Sequence, residues 1–115
     1  MEEVVSFINI EDFVKIDVRV GLIESCERIE NSEKLLKMQV DFGELGKRQI
    51  LAGIAKWYSS EELTGIQATF VVNMAPRKLM GLESQGMILA ASAEEDSKPM
   101  ILKPIDTIDN GAKIR

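Results

Sequence analysis

The chain has 115 residues, of which 45% are hydrophobic, and carries a formal net charge of −5 at neutral pH. This length predicts a single domain over residues 1–115 with a real hydrophobic core, and it is too short for a large catalytic architecture with a separate cofactor domain. The absence of histidine excludes imidazole-dependent catalysis and histidine metal sites, and the acidic balance argues against a generally basic nucleic-acid binder.

The charges are unevenly distributed along the chain. Residues 34–78 carry a net charge of +3, between flanks of −6 (residues 1–33) and −2 (residues 79–115). Local fields of this kind govern the approach of a charged ligand better than the net charge does. A basic middle segment therefore predicts one positive face on an acidic body, the alternative being lysines scattered over solvated strand faces.

The first half of the chain shows the two-residue alternation of β-strands. Residues 16–29 alternate but are interrupted at Gly21, which predicts a long strand bent at a glycine or a bulge. Residues 34–42 place apolar side chains on one face and polar side chains on the other. After a reversal rich in glycine, residues 48–55 predict a third, largely buried strand.

A short helix and two further strands follow. Ser59 and Glu62 have the spacing of a capping box, which predicts a helix start. Residues 67–74 and 86–92 predict the fourth and fifth strands, joined by a basic, glycine-punctuated loop. Loops held on a rigid scaffold often carry binding groups, although a plain long hairpin connection is the alternative here.

The element order is three strands, a short helix and two strands. This order predicts an all-β OB-fold, a five-stranded Greek-key barrel over about residues 13–92, with a C-terminal extension over about 97–115. An SH3-like barrel would place its helix later in the chain. We expect Leu63, and Trp57 or Tyr58, to plug one end of the barrel.

The one cysteine, Cys26, lies in an alternating run and is predicted to be a small core residue rather than a reactive thiol. A single free cysteine and no signal peptide predict a cytoplasmic protein. No apolar run has the length needed to cross a membrane. The sequence offers no catalytic, metal or cofactor motif, so we expect no enzyme activity and no cofactor.

Four phrases resemble the tRNA-binding OB domain in order and in one register: DFVKIDVRVG at 12–21, KLLKMQVDFG at 34–43, RQILAGIAKWY at 48–58 and NMAPRKLMGLESQGMILAAS at 73–92. The match runs from about Ile8 to Arg115. This domain occurs as a free-standing dimeric tRNA-binding protein and at the C-terminus of bacterial methionyl-tRNA synthetase. It also occurs in a human synthetase cofactor processed to a cytokine and in a small secretion-related chaperone.

The resemblance implies binding of tRNA by shape, at its elbow or outer corner, without strong sequence preference. The contacts it implies are Lys34, Arg48, Asn73, Arg77, Lys78, Ser84 and Met87. The four cations suit phosphates, the amide and the hydroxyl suit a base edge, phosphate or 2′-OH, and the methionine suits an unstacked base. A turn-stabilising amide is the alternative for Asn73, and a core residue the alternative for Met87.

The expected function is that of a non-catalytic tRNA-binding protein, acting alone or in trans with a methionyl-tRNA synthetase catalytic subunit. The alternative is a dimeric, chaperone-like peptide binder on the same fold, which would use an apolar groove. The cations Lys34, Arg48, Arg77 and Lys78 favour the first, since a peptide binder would not need them.

Apolar residues outside the barrel predict a homodimer. They lie in two segments, one at the start of the chain with Val4, Val5, Phe7 and Ile8, and one over residues 99–105. A symmetric interface would bury both segments. The alternative is that the tail packs on its own barrel.

Overall fold

The computed structural model of the protein describes residues 6–115, so Val4 and Val5, which contribute to the dimer prediction, lie outside the described residues. The elements in chain order are α1 (Ile10–Phe13), β1 (Val18–Arg28), β2 (Leu36–Asp41), β3 (Lys47–Ala52), α2 (Ser60–Leu63), β4 (Gln67–Val71), β5 (Arg77–Leu79), β6 (Leu82–Ser84), β7 (Met87–Ile88), β8 (Ala90–Ala91) and β9 (Met100–Ile101). Within this part of the chain, neither helix has the length and apolar character that crossing a bilayer requires.

Five antiparallel strands form a nearly closed barrel, in the order β3-β2-β1-β4-β7. The order and the position of α2 between β3 and β4 confirm the predicted all-β OB-type fold. Strand β2 lies between β3 and β1, and its side chains alternate strictly between the core and the outer surface. Leu36, Met38 and Val40 are fully buried, whereas the residues between them are half-buried, because alternate side chains of a strand point to opposite faces.

The short helix α2 begins where the sequence predicts it. The Glu62 amide donates to Ser59 Oγ at 3.1 Å, and the Ser59 amide donates to Glu62 Oε1 at 2.9 Å, which completes the capping box. Leu63 is almost fully buried in the core cluster, and Tyr58 packs against that cluster. Of the expected plug residues, Leu63 and Tyr58 therefore take part in the core at this end of the barrel.

Strand β1 bends across two other strands, as predicted. It pairs with β4 through Val18–Leu22 and with β2 through Leu22–Arg28, and the register shifts between Ile23 and Ser25. Gly21 permits the close approach to β2, because a Cβ there would lie 2.5 Å from Val40 and 2.6 Å from Phe42 side-chain atoms. The bend therefore depends on the missing side chain of Gly21.

The predicted fifth strand is divided into two short strands, β7 and β8. The division falls at Leu89, whose amide donates to Thr69 O at 3.0 Å, while its own carbonyl accepts from Leu102 N at 3.1 Å. At this residue the chain leaves β4 and begins to pair with β9. The pairing partner changes within one run of apolar residues, which is why the sequence shows no boundary there.

The barrel closes between β3 and the segment that precedes β7. The Gln85 amide donates to Gln49 O at 2.8 Å, and the Gln49 amide donates to Gln85 Oε1 at 2.9 Å. The Leu51 amide donates to Ser84 Oγ at 3.0 Å. Two of these three bonds use side-chain oxygens where a regular ladder would use backbone carbonyls. Closure therefore depends on the identity of these side chains.

The C-terminal extension pairs with the first part of β1, which β2 does not reach. The Gly111 amide donates to Val20 O at 2.7 Å, the Val20 amide to Ala112 O at 2.9 Å, and the Ile114 amide to Val18 O at 2.8 Å. The backbone of the tail therefore packs on its own barrel.

Replacement of Gly21 by alanine should destabilise the fold by about 2 kcal/mol, because the added methyl group would overlap with the side chains of Val40 and Phe42. Urea unfolding followed by the fluorescence of Trp57 measures this change. Gly53→Ala is the matched control, since nothing lies within 4 Å of its Cβ position, and it should change stability by less than about 1 kcal/mol. Equal midpoints for the two variants would contradict this packing argument.

Candidate nucleic-acid interface

The basic loop singled out in the sequence contains a hairpin, β5–β6, that is fixed against β3. Arg77 pairs with Ser84 and Lys78 with Glu83 across the hairpin. The Gln49 side-chain amide donates to Glu83 O at 2.9 Å, in addition to the closure bonds made by Ser84. A hairpin held in this way presents its two cations from a defined position on the barrel.

Lys34 lies at the same end of the barrel as the hairpin. It precedes β2, whose first residue Leu36 pairs with Ala52 at the end of β3, and its carbonyl accepts from Ala55 N at 3.0 Å. Lys34, Arg77 and Lys78 are all exposed. None of the three forms an ion pair with a residue in 6–115. The pairing register thus places three of the four predicted cations toward the Ala52 end of β3.

Arg48 is placed differently. It pairs with Val40 on the inward face of the barrel wall, and Val40 is fully buried. Its guanidinium Nη1 donates to the carbonyl of Val72, just beyond β4. The guanidinium is thereby engaged at the opposite end of β3 from the one near Lys34. Contact of Arg48 with RNA stays a prediction, and the geometry favours a supporting role.

Asn73 and Ser84 also have internal partners. Asn73 Nδ2 donates to Lys15 O at 2.6 Å, and its Oδ1 accepts from Asp17 N at 2.9 Å. The amide therefore ties the start of β1 to the exit of β4. Ser84 is only 3% exposed, and its hydroxyl both accepts from Leu51 N and donates to Gly86 O. Ser84 therefore holds the basic loop from inside, whereas Asn73 is exposed and holds the chain at the exit of β4.

Met87 is 43% exposed and pairs with Val71. Because Val71 lies at the end of β4, Met87 lies toward the same end of the barrel as Arg48 and Asn73, and not toward the end where Lys34 lies. The seven predicted residues thus form two groups at opposite ends of β3, with the exposed cations concentrated in the group that contains the hairpin.

The outward face of β2 and β3, with the adjoining loops, is where OB-folds bind oligonucleotides. Here its lysines are neutralised within the chain. Lys37 Nζ lies 2.7 Å from Glu27 Oε1, and Lys47 Nζ lies 3.0 Å from Glu24 Oε1. The hydrogen bond and charge of Glu24 raise the pKa of Lys47. This face therefore attracts a phosphate less strongly than the hairpin end does.

The described residues hold little chemistry beyond charge. No group of three or more histidine, cysteine, aspartate or glutamate side chains in residues 6–115 is arranged to hold a metal ion. Cys26 is half-buried against the core, and burial raises the pKa of its thiol. The thiolate is therefore disfavoured at Cys26, in accord with the prediction of a small packed residue.

Residues 18–113 match the family described as "Putative tRNA binding domain". The chain belongs to this tRNA-binding domain family. The match spans the barrel, the hairpin and most of the C-terminal extension, so the resemblance seen in the four sequence phrases is confirmed.

Relatives of this tRNA-binding domain include parts of longer proteins and short chains. The chain is 49% identical over 113 residues to the methionine–tRNA ligase of Caldanaerobacter subterraneus subsp. tengcongensis, a match that covers 98% of this chain and 17% of the ligase. A MetRS-related protein from Pyrococcus horikoshii matches with a TM-score of 0.89 and 37% identity, covering 96% of this chain and all of that one. The chaperone CsaA from Bacillus anthracis matches with a TM-score of 0.86 and 34% identity over 96% and 100% of the two chains.

The chain thus spans about a sixth of the length of the curated ligases it matches, since the matches cover 16% to 17% of the whole ligase. The similarity to the ligases therefore concerns their tRNA-binding domain.

Sequence reasoning missed two residues of the candidate interface, Gln49 and Gln85. Both lie within the phrases that resemble the tRNA-binding domain, but they carry no charge, and they fix the hairpin to β3 through their side chains. Gln85 lies within the basic loop, which is a signal that could have found it, whereas Gln49 lies in β3, where its sequence position gives no such signal. Their partners lie 34 to 36 residues away, and local sequence patterns do not reveal such pairs.

Replacement of Ser84 by alanine should destabilise this tRNA-binding domain by about 1–3 kcal/mol, because the buried Leu51 amide is left without its acceptor. The midpoint of urea unfolding measures the effect. Ser92→Ala is the matched control, since Ser92 is exposed, and its unfolding midpoint should equal that of the unmodified protein. If Ser84→Ala also unfolds at that midpoint, the hydroxyl does not contribute to closure.

Proposed function

We propose that this chain is a non-catalytic, structure-specific tRNA-binding module of the cytoplasm, acting alone or in trans with a methionyl-tRNA synthetase catalytic subunit. The observation that carries the proposal is the presence of three exposed cations, without ion-pair partners among residues 6–115, at one end of the barrel. Membership of the tRNA-binding family and the similarity to methionine–tRNA ligases support tRNA as the ligand.

The charge distribution confines where a polyanion can bind. The chain as a whole carries −5, so its net charge does not favour binding of a polyanion. Lys34, Arg77 and Lys78 form the exposed positive end, whereas Lys37 and Lys47 are paired with carboxylates on the outward face. A ligand must therefore present phosphates that match this small patch. The protein would thus recognise its ligand by the ligand's shape. The affinity for that ligand is salt-sensitive, because binding to phosphates releases counterions.

Aromatic residues give little support for binding of generic single strands, which relies on stacking platforms. The chain has four phenylalanines, one tyrosine and one tryptophan. Phe42 and Phe70 are fully buried and pack edge to face in the core with ring centroids 5.4 Å apart. The Tyr58 hydroxyl donates to the Pro99 carbonyl at 2.7 Å. A folded RNA recognised through its backbone demands fewer such platforms.

Of the seven predicted site residues, we propose that Lys34, Arg77, Lys78 and Met87 contact tRNA directly. The first three would neutralise phosphates at the hairpin end, and Met87, toward the other end of β3, would lie against an exposed base of the same RNA. Arg48, Asn73 and Ser84 would hold the surrounding strands in place through their internal hydrogen bonds.

Alanine replacement of Lys34, Arg77 or Lys78 should weaken tRNA binding and reduce the slope of log K against log salt by about 0.7–0.9 for each phosphate that the variant no longer neutralises. A salt titration of binding measures both quantities. Lys37→Ala is the matched control, because it removes a lysine that is already paired with Glu27, and it should leave the slope unchanged.

Two results of this titration would refute the proposal. If all three variants bind tRNA as the unmodified protein does at low salt, the site lies elsewhere. If an unstructured RNA of equal length competes as well as folded tRNA, the protein does not read shape.

We also propose that the module is a homodimer. Phe7 is 92% exposed and Ile105 is fully exposed. Further exposed apolar side chains lie in these two segments or beyond their ends, namely Ile8, Ile10, Val14, Ile16, Met100, Leu102 and Ile108. The tail backbone is already paired with the barrel, so its exposed side chains remain free to meet a second copy. Burial across a two-fold axis would cover them.

Ile105→Asp should convert the dimer to a monomer at micromolar concentration without unfolding it, because the side chain is fully exposed on its own chain. Light scattering measures the mass, and circular dichroism checks the fold. Thr107→Asp, at an exposed polar position of the same segment, is the control and should remain dimeric. A purely monomeric unmodified protein would refute the dimer.

A chaperone-like peptide binder is a second candidate, favoured by the similarity to the CsaA chaperone of Bacillus anthracis and by the same exposed apolar segments. The two candidates differ in the role of charge. Peptide binding through an apolar surface would be unaffected by Arg77→Ala and Lys78→Ala, whereas tRNA binding would weaken in both variants.

A further inference from the structure

The tip of the β5–β6 hairpin has an unusual residue for its backbone conformation. Leu79 pairs with Leu82, so the connection consists of two residues, Met80 and Gly81. Both have positive φ, at 53° and 79°, which is the signature of a type I′ turn. Asparagine, aspartate and glycine dominate the first position of such turns, because other side chains strain the left-handed backbone.

Met80 stands out against the other positive-φ residues. Among residues 6–115, Asn31 at φ 69° is the other non-glycine residue in this region, and asparagine tolerates it well. Methionine at φ 53° has no such local compensation. Strain of this kind persists where the surrounding structure or a function requires it.

Packing within the chain does not account for Met80. Its side chain is 57% exposed, whereas the neighbouring Leu79 and Leu82 are half-buried. An asparagine or glycine at this position would relieve the strain at little cost in buried surface. The monomeric fold therefore gives no reason for an apolar side chain at the tip.

The surroundings of Met80 point to a polyanion with exposed apolar faces. Arg77 and Lys78 precede it by three and two positions, and they leave opposite faces of the hairpin because neighbouring residues of a strand alternate. The hairpin itself is anchored to β3 by the bonds from Gln49 Nε2 to Glu83 O and from Leu51 N to Ser84 Oγ. The hairpin thus carries two cations on β5 before its apolar tip and one carboxylate, Glu83, opposite Lys78 on β6, which leaves it with a net positive charge.

We propose, on the basis of the tRNA-binding function above, that Met80 is an RNA-contacting residue. Its thioether packs against the face of an unstacked base while Arg77 and Lys78 hold the flanking phosphates. Methionine suits this contact because it is flexible and polarizable, and contacts to base faces add affinity without adding charge. The strained turn is retained because it places that side chain at the tip of the hairpin, beyond the two cations.

The test compares Met80→Asn, Met80→Leu and Arg77→Ala for tRNA affinity, salt slope and thermal midpoint. Met80→Asn should bind roughly tenfold more weakly with an unchanged salt slope, and its midpoint should rise by about 3 °C because the turn is relaxed. Met80→Leu retains an apolar side chain and should bind within about threefold of the unmodified protein. Arg77→Ala should bind more weakly with a reduced slope.

Each contrary outcome has a distinct meaning. If Met80→Asn binds tRNA as the unmodified protein does while Arg77→Ala is impaired, the Met80 contact is wrong and the proposed function stands. If the unmodified protein does not bind tRNA, the proposed function fails and the inference fails with it. If Met80→Asn lowers the thermal midpoint, or reduces the mass measured by light scattering, Met80 serves the fold or a protein interface and the inference is overturned.

Discussion

Closure of the barrel on β3 is the interaction on which the rest of the structure depends. The core is sealed where Ser84 and Gln85 bond to the backbone of β3, and Gly86 allows this approach, since a Cβ there would lie 2.9 Å from Val71 O and 3.1 Å from the Ile50 side chain. The same few residues determine where the β5–β6 hairpin leaves the barrel. Stability and the position of the basic patch are thus coupled, because one set of hydrogen bonds supplies both.

Charge compensation on one face and its absence on another explain how an acidic protein can attract a polyanion. Glu24 and Glu27 lie within 3.0 Å of Lys47 and Lys37, respectively, so the wall of β1, β2 and β3 has little positive potential. The hairpin end keeps its cations exposed. Because exposed charges are screened within about 10 Å at moderate salt, a phosphate near the hairpin responds to the local patch more than to the net charge. Local placement of the cations is therefore the basis of the proposed site.

The features that the sequence predicted correctly are those set by local rules. The alternation of β2, the capping box of α2 and the bend of β1 near Gly21 each depend on residues a few positions apart. Features that depend on the pairing register between strands could not be predicted from the sequence. Arg48 has the sequence context of a surface cation, but pairing with Val40 turns it inward, and a shift of one residue would have reversed its face. The division of the fifth strand at Leu89 likewise depends on Leu102, which lies in the extension.

The C-terminal extension has two structural features that its sequence does not separate. Its backbone pairs with β1 and β4, through bonds such as Gly111 N to Val20 O and Thr69 N to Leu102 O, and so it covers edges that would otherwise invite pairing with other chains. Several of its apolar side chains are exposed, with Ile105 fully so, whereas Ile101 packs against the core. Truncation of the tail would open the barrel edges and remove the apolar surface together, so only side-chain substitutions can separate folding from assembly.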